Sequence, residues 1–197
     1  MPKRICVLQD ISPDFNFSEI FGIAGETISA GQAAQNYLFA HKHETDTEKV
    51  QITSIYVGQK AAKCKGCFGC WLKTPGECVM HDGSEHIGSV LMSSDQIYIL
   101  SRSCYGGFSI EMKRILDRCI PGVLPFFRYV DRKMHHVPRF GNKPDYKIAF
   151  YEMGECTGQE KETAVKAAKA MSVNFNAKSC KVVLFDGEIT AKEAVEL

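Results

Sequence analysis

Four cysteines fall within fifteen positions, in Cys64-Lys65-Gly66-Cys67-Phe68-Gly69-Cys70 and then, past Trp71, at Cys78. Their spacers of two, two and seven residues contain glycine and proline, which turn the chain back on itself, so four thiols can converge on one centre. Thiolate-only ligation suits an iron–sulfur cluster or a tetrahedral zinc. Overlapping triplets with no separated second pair resemble a cluster loop more than a zinc knuckle. A loop of reduced cysteines without metal, one of them redox-active, stays open beside both. A second constellation reads Ser101-Arg102-Ser103-Cys104-Tyr105-Gly106-Gly107-Phe108-Ser109. Its two glycines let backbone amides approach a planar ligand, and Tyr105 and Phe108 supply flat apolar surface. The plainer alternative is a strand-to-helix turn capped by Ser109.

Five β-rich runs must position these loops: Arg4 to Gln9, Val50 to Val57, Gln96 to Ser101, Tyr146 to Tyr151 and Cys180 to Phe185. Between them lie helical patterns. Met112, Ile115, Leu116, Cys119 and Ile120 make one apolar stripe, and Ala164, Ala167, Ala168, Met171 and Phe175 make another. Thr157 and Glu160 have the spacing of a reciprocal capping box. Asp82 and Glu85 predict a helix start running to about Ser93, and a weaker pattern passes through Gly31, Ala34 and Leu38. Alternating strand and helix with near-continuous apolar strands predicts an α/β domain. It is a doubly wound, five-stranded parallel sheet of order 2-1-3-4-5 with helices on both faces. Ligands of such sheets sit beyond the strand C-termini where the winding reverses, here between strands 1 and 3. The loops after strands 1, 3 and 4 are therefore the informative ones. One domain covers residues 1–197, with an aromatic and basic insertion at about 121–145.

The chain has 197 residues, 24 basic and 23 acidic side chains and a net charge of +1, which offers no field to draw in a polyanion; nucleic acid is excluded as a first partner. Nine cysteines, an odd number, without a secretion signal or membrane span at the N-terminus, predict reduced thiols in a cytoplasmic protein. Cys6, Cys119 and Cys180 fall inside strand or helix patterns as small core residues. Gly154 and Cys156 follow strand 4 beside the proposed crevice. Trp71 either covers a ligand edge or plugs the cysteine loop. His135 and His136 are candidates for lining a pocket, whereas His41, His43, His81 and His86 show no partner pattern.

The Cys64 to Cys78 loop with Trp71, Thr74-Pro75-Gly76 and Asp82, the run Tyr105-Gly106-Gly107-Phe108-Ser109 followed by Lys113 and Asp117-Arg118, and Leu124-Pro125-Phe126-Phe127 with Met134-His135-His136 and Arg139 together resemble one family. It is that of the flavodoxin-like NAD(P)H-dependent FMN reductases, including the iron–sulfur flavoproteins. The resemblance implies FMN at the C-terminal edge of strands 1, 3 and 4. The ring would rest on Cys104, Tyr105, Gly106, Gly107 and Phe108, bordered by Gly154 and Cys156, and the phosphate near Ser12, Asn16 and Ser18. It implies a [4Fe–4S] cluster on Cys64, Cys67, Cys70 and Cys78 in the iron–sulfur members. NAD(P)H is the implied co-substrate, docking over the flavin because five βα units and an insertion use up the chain. A small-molecule or protein electron acceptor and a homodimer or homotetramer are also implied. The first loop departs from the family pattern, with Asp14 where a cation would help and Phe17 near the expected glycine. The readings carried forward are an FMN-dependent reductase, an iron–sulfur flavoprotein electron carrier, and a flavodoxin-fold binding module without flavin.

Overall fold

The computed structural model describes residues 3–12, 15, 39–42, 50–58 and 62–197. In chain order the strands are β1 (Lys3–Gln9), β2 (Phe39–Lys42), β3 (Val50–Tyr56), β4 (Gln96–Cys104), β5 (Gly107–Phe108), β6 (Val123–Val130), β7 (Lys133–Pro138), β8 (Asp145–Tyr151) and β9 (Ser179–Leu184). The α-helices are α1 (Gly69–Leu72), α2 (Ile87–Ser93), α3 (Ile110–Asp117), α4 (Gly158–Asn174) and α5 (Ala191–Val195). The main sheet runs β2-β3-β1-β4-β8-β9, with β5 paired to the end of β4. Its five central strands are parallel and correspond to the five predicted runs in the predicted order. The sheet has two additions that the sequence pattern did not mark: β2, a four-residue antiparallel edge, and the two-residue β5.

Both faces of this sheet are covered, as continuous apolar strands require. Because strand side chains alternate, Cys6, Leu8, Ile97, Ile99, Ile148 and Phe150 pack with α2, α3 and α4 on one side. Ile5, Val7, Tyr98, Leu100, Ala149 and Tyr151 pack with Ile189, Ala194 and Leu197 on the other. Helix α3 starts at Ser109, whose side chain accepts from the Met112 amide. Helix α4 starts at the predicted capping box, with both Thr157 and Glu160 bonds formed. The predicted insertion is a separate antiparallel hairpin of β6 and β7. Among the described residues, no helix is long and apolar enough to cross a membrane.

One expected boundary is corrected. Helix α2 begins at Ile87 after His86, which makes no side-chain cap. Asp82 does cap locally, accepting from the Ser84 amide and hydroxyl, but its other oxygen serves Ala62 and Arg118 rather than a helix start. The weaker helix through Gly31, Ala34 and Leu38 lies outside the described residues.

Candidate functional site

The C-terminal ends of β1, β4 and β8 are tied together by Asp10, the residue that follows β1. Its carboxylate accepts from the Arg102 amide at 2.9 Å, from the Tyr151 hydroxyl at 2.8 Å, and from the hydroxyls of Ser101 and Ser109. Ser101 Oγ in turn accepts from the Ser109 amide. Burial, then the Asp10 carboxylate, pushes the Tyr151 phenol well above its ordinary value. The next turn is held by buried Gln9, whose Oε1 accepts from Ile11 and Ser12 amides while its Nε2 donates to the Ser12 carbonyl. Ser12 is thereby fixed at the end of β1. The other two phosphate candidates, Asn16 and Ser18, and the divergent Asp14 and Phe17, lie outside the described residues.

Strand β4 continues through Cys104 and returns at once as β5, pairing Ser103 with Phe108 and Cys104 with Gly107. The two turn residues, Tyr105 and Gly106, both have positive φ, at 48° and 72°. This is the turn hand that fits twisted strands, and its first position normally takes Asn, Asp or Gly. Tyr there is a backbone outlier, and its side chain is 91% exposed. Gly106 has a packing reason. A Cβ on it would lie 2.7 Å from the Glu160 carbonyl oxygen and 2.9 Å from Glu160 Cα, so the turn sits directly on the first turn of α4. Gly107 would place its Cβ 3.5 Å from the Cys104 oxygen, an ordinary contact. Gly154 is likewise packed, with its amide donating to the Asp186 carbonyl and its would-be Cβ 3.0 Å from that oxygen. Cys156 Sγ lies 3.5 Å from Ser103 Oγ, which joins the loop after β8 to the β4 hairpin. Ser12, the 104–108 hairpin, Gly154 and Cys156 are thus gathered at one edge of the sheet. The exposed Tyr105 ring and the unobstructed Gly107 backbone fit a flat apolar cofactor.

Beyond the hairpin a cavity of about 390 Å³ is lined by Phe108, Ile110, Lys113, Arg114 and Asp117 on one side and by Lys63 and Cys64 on the other, with Lys113 paired to Asp117. Cys64 opens the four-cysteine loop. Gly66 and Phe68 take positive φ, 62° and 54°, and coil the backbone between the first three thiols. Gly69 presses on Val79, where a Cβ would come within 2.5 Å of Cγ1. Trp71 donates to the Val123 carbonyl at 2.9 Å, stacks on Phe68 and meets the His136 ring at a tilt, so it pins the loop to the β6–β7 hairpin. Cys64, Cys67, Cys70 and Cys78 all line one pocket, with Arg118 and Ile120. The Cys70 thiol is pushed up first by burial, then by the negative charge of Cys78, Cys64 and Cys67. Four thiols around one pocket are a donor set for a cationic centre. A single zinc with Zn–S bonds of about 2.3 Å brings its sulfurs to about 3.8 Å from one another. Among the described residues, no three such groups are placed to hold one metal ion. Thiols alone, four of them on one pocket, are the donor chemistry of a cluster loop, in which each thiolate binds its own iron.

Arg118, directly after α3, has a fully buried side chain. Its Nη1 donates to Asp82 and to Ser84 Oγ, its Nη2 donates to the Met80 carbonyl, and the residue lines the same pocket as Cys78. Burial alone would raise the Asp82 carboxyl, but the bonds from Arg118 and Ser84 outweigh it and hold Asp82 well below the usual carboxylate range. Asp82 also accepts from the Ala62 amide, so this pair closes the cysteine loop at both ends. Of the remaining candidates, Cys6 and Cys119 are buried core thiols, Cys6 pushed up to about 12 by burial, while Cys180 is partly buried against the same core. His135 bonds Asn174, and His136 lies between Trp71 and Phe127. His81 and His86 do have partners, Glu85 and Glu77, at exposed positions.

No family model matches the chain. An iron–sulfur flavoprotein of Archaeoglobus fulgidus is 28% identical over 101 residues, which span 51% of this chain and 44% of that protein. The match thus spans less than half of the relative's own length. A solved FMN-dependent NADH-azoreductase from Bacillus anthracis, in complex with FMN, superposes with a TM-score of 0.50 at 12% identity over 100% of this chain and 93% of that one. A second azoreductase from Bacillus anthracis gives 0.52 at 13% identity over 94% and 88%. The chain has the flavodoxin-like fold of these two azoreductases. In that fold the edge formed by Ser12, the 104–108 hairpin and Cys156 is the switch point at which the crossovers reverse. Sequence reading missed Asp10 and Gln9. A lone acid or amide at the end of a strand has no periodicity or spacing to mark it, and only the order of the strands shows what it meets.

Proposed function

We propose that this chain is an FMN-dependent NAD(P)H oxidoreductase. The observation that carries the reading is Tyr105: an exposed aromatic ring held in a strained turn, on a hairpin anchored by Asp10 and α4, at the switch point of a flavodoxin-like sheet. Backbone strain and exposed apolar surface each cost stability, and their coincidence at a ligand edge favours a functional origin. FMN, when bound, supplies the hydride acceptor. The protein's part is positional. Tyr105 and the Gly107 backbone support the ring, Ser12 opens the phosphate loop, and Cys156 with Ser103 closes the far wall. No side-chain acid or base is required for hydride transfer between nicotinamide and flavin. The cavity shared by Phe108 and Cys64, where Lys63 and Arg114 stand beside the Lys113–Asp117 pair, suits an anionic, partly aromatic acceptor or co-substrate.

The four-cysteine pocket favours an added reading, in which Cys64, Cys67, Cys70 and Cys78 hold a [4Fe–4S] cluster that exchanges single electrons with the flavin. The name of the Archaeoglobus relative supports it. The visible spectrum of anaerobically purified protein, before and after addition of FMN, iron and sulfide, tests both. Two resolved flavin bands at one FMN per chain are expected, together with a broad absorbance that bleaches with dithionite. A protein that stays colourless after FMN addition overturns the oxidoreductase reading, and one that takes up flavin without iron overturns the cluster.

All nine cysteines are free, which suits a reducing compartment such as the cytoplasm. The β6–β7 hairpin leaves Phe126, Phe127, Tyr129 and Met134 exposed, and we propose that a second copy of the chain covers it in a dimer or tetramer. Light scattering is expected to give a multiple of the chain mass that falls to one chain in the double variant Phe126→Glu, Tyr129→Glu. A monomeric parent protein would sink this proposal.

A further inference from the structure

Arg118 is an expensive residue to hold where it is. A guanidinium with no solvent exposure loses hydration worth several kcal/mol, and one carboxylate restores it only when the remaining N–H groups are also used. Asp82, Ser84 and Met80 take three of these bonds. The rest of the group faces the pocket that it lines together with Cys64, Cys67, Cys70 and Cys78, and Nε–H has no acceptor among the described residues. The Asp82 side chain, 24% exposed, lies on the solvent side of the pair, so the positive end of the buried dipole points toward the sulfurs. A hydrophobic residue of similar volume would close the loop at lower cost. The arrangement makes physical sense when the sulfurs beside Arg118 carry negative charge.

Resting on the cluster reading above, we propose that Arg118 is the internal counter-cation of the four-cysteine centre, a positioning residue that stabilises its more negative, reduced form. Asp82 aligns the guanidinium by fixing Nη1. Charge balance and hydrogen bonds to the sulfurs are the protein's main controls over such a centre's potential. Lys63, Lys65 and Lys73 are the other cations of the loop, and all three are exposed, so solvent and salt screen them while Arg118 stays unscreened.

The test compares the parent chain with Asp82→Asn, Arg118→Met after anaerobic reconstitution with iron and sulfide. This double variant keeps the net charge and leaves one amide oxygen, enough for Ser84 or for Ala62 but not for both, since they bond different Asp82 oxygens. Circular dichroism establishes that it is folded, iron and sulfide content that it is loaded, and a dithionite titration read by electron paramagnetic resonance gives the one-electron midpoint. The expected result is equal loading, with the reduced form disfavoured by about tenfold or more, a shift of about 59 mV to more negative potential. Equal loading with a midpoint changed by less than about twofold overturns the proposal, as does a folded variant that takes up no iron, since Arg118 would then only shape the loop. If the double variant does not fold, Arg118→Lys is read in its place, with a smaller shift of the same sign expected and an unchanged midpoint overturning the proposal. A parent chain that takes up no iron removes the cluster reading itself, an outcome distinct from these.

Discussion

Replacing Asp10 with Ala is expected to lower the stability of the fold by about 2–4 kcal/mol and to weaken flavin uptake in the same variant. The Arg102 amide, the Tyr151 hydroxyl and two serine hydroxyls all end on this carboxylate, and Ser101 is itself fully buried. Removing the acceptor strands several donors at once. The cost of one unsatisfied buried group is about 1–3 kcal/mol, and solvent replaces part of the loss because Asp10 is only half-buried. For a chain of this length the melting temperature is expected to fall by roughly 5–15 °C. Asp10→Asn keeps one carbonyl acceptor and is expected to lose about half as much. Tyr151→Phe removes a single donor from the same network, so its effect and that of Asp10→Ala should be non-additive when combined. The functional consequence follows from topology. Asp10 joins β1, where the phosphate loop begins, to the root of the hairpin that carries Tyr105. Calorimetry and FMN titration of the same samples check this, and a variant with unchanged melting temperature and flavin affinity would show that the carboxylate is idle.

Asp10 also marks where sequence reading stops. The five parallel strands were legible because burial on both faces leaves few polar positions in Ile5 to Leu8, Ile97 to Leu100 or Ile148 to Tyr151, and the order 2-1-3-4-5 is the common one of a doubly wound sheet. The capping box at Thr157 and Glu160 was legible because both partners lie within one turn. Asp82 and Glu85 show a similar local pattern, yet the Asp82 carboxylate went to Arg118, 36 residues away, and the helix began later at Ile87. A buried ion pair outweighed a half-exposed cap. The partners of Asp10 are between 91 and 141 residues distant, so no window of sequence contains the site they make. The β6–β7 hairpin was hidden for another reason. With Phe126, Phe127, Tyr129 and Met134 all exposed, its apolar residues do not follow the inward and outward alternation by which a half-buried strand is recognised. The cysteine loop was the most legible part, since its spacing is itself the signal. Its buried arginine was visible only as part of a family motif, without a role.

The glycine pair of the hairpin shows how a motif read for one purpose divides under physical inspection. Gly106→Ala is expected to cost about 2–4 kcal/mol, because its new methyl group meets the backbone of Glu160 at 2.7–2.9 Å and its φ of 72° disfavours any Cβ. A helix backbone cannot rotate aside, so the hairpin must lift from α4. Gly107→Ala meets only an ordinary contact at 3.5 Å and is expected to change stability by about 1 kcal/mol or less. If Gly107 instead faces the flavin, its methyl group intrudes on the ring, and FMN affinity is expected to fall at least about tenfold with the melting temperature nearly unchanged. Tyr105→Gly isolates the third member of the run. It relieves a left-handed backbone at a position 91% exposed, so stability is expected to hold or rise by up to about 1 kcal/mol while ring stacking is lost. Replacing all three residues together would confuse a lifted hairpin with a missing ligand contact. Measured separately, a Gly107→Ala variant with full FMN affinity would place the ring away from this backbone, and a Gly106→Ala variant as stable as the parent would contradict the packing on α4.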